Sequence, residues 1–506
     1  MKTVEIIPKI RVDNKEKLAL VYTPGVAKSS TEIHKDYDKV FDLTNRSNSV
    51  AVLSFNYNES LKRAIYLKDT FLVDAYPLEI KEKELSNSPE ERKKELDFVI
   101  QNIMPNFMGV DTALIEGKAY DFDFNIPTRS KGCLFSNDIK VENIEPVELR
   151  RLFGGVIETQ TVETPDETFK KPVAVVSDGS AVLGLGNIGA EAGLPVMEGK
   201  AVLFKELGGV DAMPLCLKTQ VPSEIERIVF LLENSFSGIN LEDISAPRCF
   251  EIEANLIDLL SIPVFHDDQH GTAIVVLAGL LNSMKVAGKN LADTKIVFSG
   301  AGAAGQAICK LLIKMREFLN SDENGKTSDK KGGDGILMFD KFGAVYKGRK
   351  ENDPSLEKMA EITNNENFKG TLKEGIKGAD IFIGVSTKGI LSQDMVKSMA
   401  KNAVIFAIAN PEPEILPNLA LEAGALIAAS GRSDFNNQIN NSLVFPGLFC
   451  GIINSNVKKV DDRIKIEAAL ALAEIVPEDK LSKEYIIPDA LDKKVPSGLQ
   501  KIFQHV

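Results

Sequence analysis

An α/β fold is predicted by three features of the sequence. Short apolar runs recur, within Lys171–Asp178, Ile262–Phe265, Ala379–Val385 and Ala403–Asn410. Strands buried on both faces of a parallel sheet read this way. Long helical stretches lie between such runs, as at Thr272–Val286. A glycine-rich turn, Gly300-Ala-Gly-Ala-Ala-Gly305, sits between a strand and a helix. The 506 residues suffice for two or three domains with sizeable cores.

Composition narrows the function classes. A hydrophobic share of 44% with 26% charged residues argues against wholesale disorder. The net charge of −12 argues against nucleic acid or an anionic membrane as partner. An anionic substrate would therefore need positive charge supplied by the site itself. Five scattered cysteines, Cys133, Cys216, Cys249, Cys309 and Cys450, form no C-x-x-C pair. That speaks against a disulfide framework or a zinc ribbon and suits a reducing cytoplasm. Val4–Ile7 is too short for a signal peptide, and no run approaches the roughly 20 apolar residues of a membrane span.

Taken in order, Val21-Tyr-Thr-Pro-Gly25 is a turn signal that places Tyr22 at the end of a short strand. Asn48–Phe55 reads as a buried strand. Between about Asn56 and Phe169 no catalytic pattern is visible; Ser88-Pro-Glu-Glu91 predicts a capping box opening a charged helix to about Ile103. Lys171–Asp178 is a strand leading into Gly184-Leu-Gly-Asn-Ile-Gly189. That G-x-G-x-x-G does not directly follow its strand, and Pro195 curtails any helix after it. A loop bringing backbone, including Gly184, close to a small substrate fits it better than a nucleotide site. Gly199–Phe204 reads as a strand with Lys200 at its entrance, either a snorkelling surface residue or, if enclosed, a base of depressed pKa.

Two acidic pairs come next. Glu242 and Asp243 follow a predicted turn at Ser237-Gly238 and precede a helix over Pro247–Leu260. Asp267 and Asp268 end the strand Ile262–Phe265. Single acidic pairs are usually solvated surface. Two pairs at element boundaries in low-charge surroundings point to a hard divalent cation, which takes oxygen ligands. The helix Thr272–Val286 is apolar nearly all round and closes at Gly288. The strand at Lys295 then runs through Gly300, Gly302, Ala303, Ala304 and Gly305 into a helix over Gln306–Met315. Here the glycines permit close backbone approach, and the helix N-terminus faces a pyrophosphate. After a polar loop, Asn320–Gly335, the strand Ile336–Phe339 ends at Asp340, placed to accept from ribose hydroxyls. Lys341 beside it could instead welcome a 2′-phosphate. Asn410 and Asn441 stand at strand or turn ends, where amides either cap the turn or bind a carboxylate or carboxamide.

VYTPGVA, SDGSAVLGLGNIG, EGKAVLF, EDISAP, IPVFHDDQHGTAIVVLAGLLN, SGAGAAG, IFAIANP and NNSLVFPG occur together, in this order, over most of residues 20–55 and 171–460. In this the chain resembles the malic enzymes, NAD(P)-dependent oxidative decarboxylases of L-malate, and within them the small bacterial branch. The resemblance implies an N-terminal α/β substrate and metal domain over residues 1–270. A doubly wound, Rossmann-type dinucleotide domain would cover 271–506, with the last helices from about Asp461 packed back onto the body. Residues of about 56–170 would be an insertion relative to small members. It implies that Glu242, Asp243 and Asp268 bind Mg²⁺ or Mn²⁺, that Lys200, oriented by Asp267, is the general base, and that Tyr22 is the acid. Gly300, Gly302, Ala303, Ala304 and Gly305, with Asp340, Lys341 and Asn410, would hold NAD, with NADP as the alternative. Asn410, Asn441 and Gly184 would hold malate. A cytoplasmic homodimer is expected. The chemistry matches the residue types: Lys200 takes the 2-hydroxyl proton as hydride leaves C2, a metal supports the enolate after CO₂ departs, and Tyr22 protonates C3.

Three rivals remain at this stage. A malate dehydrogenase or a malolactic-type enzyme on the same scaffold differs in product: oxaloacetate, lactate or pyruvate. A zinc hydrolase could use His266 and His270, but the glutamate of H-E-x-x-H is missing. A non-catalytic dinucleotide sensor would have no need of an acid, a base and a metal together.

Overall fold

The computed structural model describes residues 2–22, 25–71, 74–107, 109–111, 156–165, 169–182, 184–320, 331–455 and 457–505. The chain divides into two compact units: Met1–Phe265 with Ile452–Lys459, and His266–Gly451 with Val460–Val506.

The first unit begins with β1 (Lys2–Pro8), α1 (Lys15–Val21), α2 (Gly25–Lys35) and β2 (Ser49–Ser54). Next come α3 (Tyr57–Phe71), β3 (Asp74–Glu79), α4 (Pro89–Ile103), β4 (Gly109–Asp111) and β5 (Ile157–Glu163). Strand β1 pairs antiparallel with β5, while β2 pairs parallel with both β3 and β4. The stretch in which the sequence displays only a charged helix therefore holds consecutive βαβ units; its residues 112–155 lie outside the described ones. Helix α4 starts at Pro89 as expected, but Ser88 makes no capping bond with its side chain. Ser86 instead donates to carboxylates of the helix, its N–H to Glu95 (2.8 Å) and its hydroxyl to Glu91 (2.8 Å).

The remainder of this unit is β6 (Val173–Ser177), α5 (Gly189–Gly208), β7 (Ala212–Cys216), α6 (Pro222–Leu232), β8 (Gly238–Leu241), α7 (Arg248–Leu259) and β9 (Val264–His266). Their sheet has the order β7-β6-β8-β9, and β6 runs parallel to β7 and to β8. The strand order reverses between β6 and β8, so a crevice opens at their carboxyl ends, where such sheets bind ligands. Asp178 lies beyond one of these ends, Glu242 and Asp243 beyond the other.

Three local expectations are corrected here. Gly199–Phe204 is the last part of α5, not a strand. An apolar run that is buried all round has no period to separate the two. Pro195 lies inside that helix rather than ending it, at the loss of one N–H bond. Tyr22 closes a helix instead of a strand: α1 is opened by Asn14, whose side chain accepts from Lys17 N–H at 2.9 Å, and Tyr22 is its C-cap. Thr23 and Pro24 lie outside the described residues.

The second unit starts with a π-helical turn, Asp267–Gly271, which continues into α8 (Thr272–Ala287). By length and hydropathy Asp267–Ala287 could cross a bilayer, but 72% of its most apolar window is buried, as in the core helix of a folded domain. Asn282 inside it donates to Ala473 O (2.9 Å) and Ile486 O (3.0 Å), tying down the C-terminal segment. Then follow β10 (Ile296–Ser299), α9 (Ala303–Leu319), β11 (Ile336–Asp340), β12 (Gly343–Ala344), β13 (Ile381–Gly384), β14 (Val404–Ala407) and β15 (Ile427–Ser430). The sheet order is β12-β11-β10-β13-β14-β15, parallel throughout except for β12. This is the doubly wound arrangement, with its switch point between β10 and β13.

Candidate active site

In the first unit the geometry centres on Lys200. Its side chain is 0% exposed, and Nζ lies 2.9 Å from Glu242 Oε1. The same ammonium stands 5.3 Å from the centre of the Tyr22 ring. Gly199 explains how Tyr22 comes so near: a Cβ there would collide with Val21 O, so only glycine lets the end of α1 rest on α5. The second oxygen of Glu242 accepts from Asn240 Nδ2 at 3.0 Å. Sequence reading passed over Asn240, although two-residue spacing on a strand puts it on the same face as Glu242.

Asp243 is held with φ at +55°, a left-handed conformation that aspartate tolerates better than most residues. Its carbonyl accepts Ala181 N–H (2.9 Å), and Glu242 N–H donates to Val176 O (2.9 Å), so both residues are anchored to the β6 side. Glu242 and Asp243 are both buried. Two buried carboxylates against one ammonium leave an excess of negative charge, and their donor set is all oxygen. A divalent hard cation fits both facts.

The loop after β6 is organised by Asp178. Its carboxylate accepts from Ser180 and from Arg248 Nη2 (2.7 Å), while burial pushes its pKa above the usual carboxylate value. Arg248, not singled out in the sequence, thereby brings a cation to the carboxyl edge of this sheet. Gly184 lies in the turn closed by Val182 N–H donating to Gly186 O at 3.0 Å, with φ at +74°.

In the second unit Asp267 is 0% exposed, whereas the Asp268 side chain is 32% exposed. His266 Nδ1 lies 3.9 Å from Asp268 Oδ2. Gly271 is required by space alone: a Cβ would overlap Asp267 Oδ1, and it would stand 3.3 Å from Asn441 Cβ. The π-turn thus packs Asp267 and Asn441 side by side.

The glycine turn behaves as its spacing predicts. Gly300 has φ at +110°, and a Cβ there would meet Val385 O at 2.6 Å. One on Gly305 would collide with Gly300 O, whereas one on Gly302 would meet nothing within 4 Å. The open side of Gly302, at the N-terminus of the 17-residue helix α9, is the space a pyrophosphate would use. Helix α9 starts at Ala303, earlier than Gln306, so Ala303 and Ala304 form its first turn. Asn410 follows β14, its side chain near the backbone at Gly431. Lys341 is exposed, with Nζ 5.0 Å from the Phe342 ring centre. Asp340 is gripped by Arg349, a residue without any local signal in the sequence.

Residues 269–495 match the family model described as malic enzyme, NAD binding domain, and residues 155–227 match malic enzyme, N-terminal domain. The chain is 51% identical over 331 residues to the bifunctional malic/malolactic enzyme of Bacillus subtilis, covering 65% of this chain and 77% of that protein. The chain belongs to the malic enzyme family. It is 50% identical over 326 residues to the NAD-dependent malic enzyme of Geobacillus stearothermophilus, covering 64% of this chain and 65% of that one. Malic enzyme from Pyrococcus horikoshii matches in structure with a TM-score of 0.61 at 32% identity, covering 99% of this chain and 85% of the other. Oxidative decarboxylation of malate with a nicotinamide cofactor fits this malic enzyme family, as do the α/β fold and the Rossmann-type half.

Proposed function

We propose that this malic enzyme converts L-malate and NAD⁺ to pyruvate, CO₂ and NADH. The observation that carries the reading is the fully buried Lys200, with its ammonium on Glu242 and beside Tyr22. Enclosed in this way, Lys200 would take the proton of the malate 2-hydroxyl, with Asp267 as the carboxylate that orients it. Tyr22, next to Lys200, would deliver a proton to C3 once CO₂ has left. Glu242, Asp243 and Asp268 would hold Mg²⁺ or Mn²⁺. When bound, the ion supplies Lewis acidity at the developing enolate oxygen, and the dinucleotide accepts the hydride. Asn410, Asn441 and the Gly184 loop would bind the carboxylates, and Gly300–Gly305 with Asp340 would seat NAD⁺. Four free cysteines among the described residues favour a reducing compartment, and the reading includes a cytoplasmic homodimer.

Product analysis tests this. L-malate, Mn²⁺ and NAD⁺ should yield pyruvate in step with NADH, and a chelator should stop both. Oxaloacetate in place of pyruvate would replace the reading with a plain dehydrogenase. Lactate is the second outcome to look for, because the Bacillus subtilis relative carries malolactic activity in its name.

A further inference from the structure

Arg248 is a cation at the carboxyl ends of β6 and β8 for which the malate chemistry above has no role. It opens α7, shortly after Glu242 and Asp243. The segment leading to it is sewn to the loop after β6. Ala181 N–H donates to Asp243 O (2.9 Å), and Ser245 N–H donates to Ser180 Oγ (2.9 Å). Arg248 therefore stands on the same rim of the crevice as the two buried carboxylates.

Arg248 Nη2 donates to Asp178 Oδ2 at 2.7 Å. Asp178 is itself fixed, its Oδ1 accepting from both the N–H (3.0 Å) and the hydroxyl of Ser180. The Asp178 side chain is 0% exposed and that of Arg248 25% exposed. Among the described residues Arg248 Nε has no hydrogen-bond partner, although that atom is buried. The bond to Asp178 thus aims the guanidinium without filling its donors.

A guanidinium carries five N–H donors in a planar fork that matches a carboxylate. A buried donor left unmade is costly, and such a group in a folded protein calls for an explanation. A carboxylate entering the crevice supplies one, since the side chain remains partly open to solvent. Malate offers two carboxylates. C4 leaves as neutral CO₂, and a cation fixed on it would stabilise the ground state more than the transition state. C1 keeps its charge from malate through to pyruvate, so a cation there binds without opposing the reaction.

We propose that Arg248 binds the C1 carboxylate of malate and of pyruvate, and that Asp178 is the positioning residue that aims it. The inference deepens the malate reading and rests on it.

The test is steady-state kinetics on the full chain with L-malate, Mn²⁺ and NAD⁺, and with pyruvate as inhibitor. Arg248→Gln keeps a donor but loses the charged fork. It should raise the malate KM and the pyruvate inhibition constant together, by about 10- to 100-fold, the order of one hydrogen bond to a charged group. The loss should fall on KM much more than on kcat, because the contact is the same in ground and transition states. Arg248→Lys should recover part of both constants, since it restores the charge without the fork. A merely structural tie between α7 and the loop after β6 would lower Tm and kcat and leave both constants at their wild-type values; that result overturns the proposal. So does a raised malate KM with an unmoved pyruvate constant, which would put Arg248 on C4. Should Arg248→Gln not fold, Arg248→Lys decides: both constants raised together support the proposal, and both at wild-type values overturn it. No malate turnover by the wild type removes the proposal together with the reading beneath it. Turnover that Arg248→Gln leaves unaltered removes the proposal alone.

Discussion

Gly271 shows how much of a candidate site can hang on a missing methyl group. Its backbone is ordinary helix, with φ at −62°, so alanine would fit the conformation; the obstacle is the carboxylate of Asp267. Gly271→Ala should therefore cost about 1–3 kcal/mol by overpacking. It should also lower kcat by displacing Asp267. Thermal melts and steady-state kinetics on one preparation check this; a lowered Tm with unchanged kcat would remove Asp267 from the catalytic account. At this scale the sequence was informative where chemistry demands a residue type. Paired carboxylates at strand ends, a lysine within an apolar run and spaced glycines are all visible as letters, whereas the enclosure of Lys200 is not. Partners that arrive from elsewhere are not. Arg349 meets Asp340 through a loop, and Gly199 touches Val21 through helix packing, so neither leaves a local pattern.

At the scale of elements, the carboxyl edge of the second sheet is stitched by one buried glutamate. Glu414 accepts from Ser386 N–H (2.7 Å) and Oγ (3.2 Å) and from Ala409 N–H (3.1 Å), joining the ends of β13 and β14. Ser386 in turn shares a hydrogen bond with Ser299 at the end of β10 (2.8 Å). Gly384 makes room, since a Cβ there would overlap the Glu414 carboxyl group. Burial raises the Glu414 pKa, against the pull of those donors. The folded value then lies above the unfolded one. This contribution to stability is present below the ordinary glutamate pKa and is lost as pH rises through the raised value. Wild type should accordingly lose Tm relative to Glu414→Gln as pH rises above about 4.3, the ordinary glutamate value. Parallel Tm–pH curves would contradict it. Elements with a sharp signature, such as the strand and helix flanking Gly300–Gly305, were legible beforehand. Gly199–Phe204 was not, because a wholly buried helix and a strand share the same unbroken apolar run, and the helix that ends at Tyr22 is only seven residues long, too short to display a period.

For the whole molecule, family membership and the doubly wound half follow from motifs spread over most of the chain. Of the βαβ units in the N-terminal part only the strand at Ser49–Ser54 was legible; its partners Asp74–Glu79 and Gly109–Asp111 are short and carry polar residues. Turnover is the property that draws on all of these parts, and Lys200 would be its base. The decisive measurement is kcat for Lys200→Ala with L-malate, Mn²⁺ and NAD⁺, beside calorimetric NAD⁺ binding by the same preparation. NAD⁺ binding should stay within about twofold of wild type while kcat falls by about 10²–10⁴-fold, the usual worth of a general base. Intact binding with kcat close to wild type would contradict it, and the proton would then have to leave malate through another group.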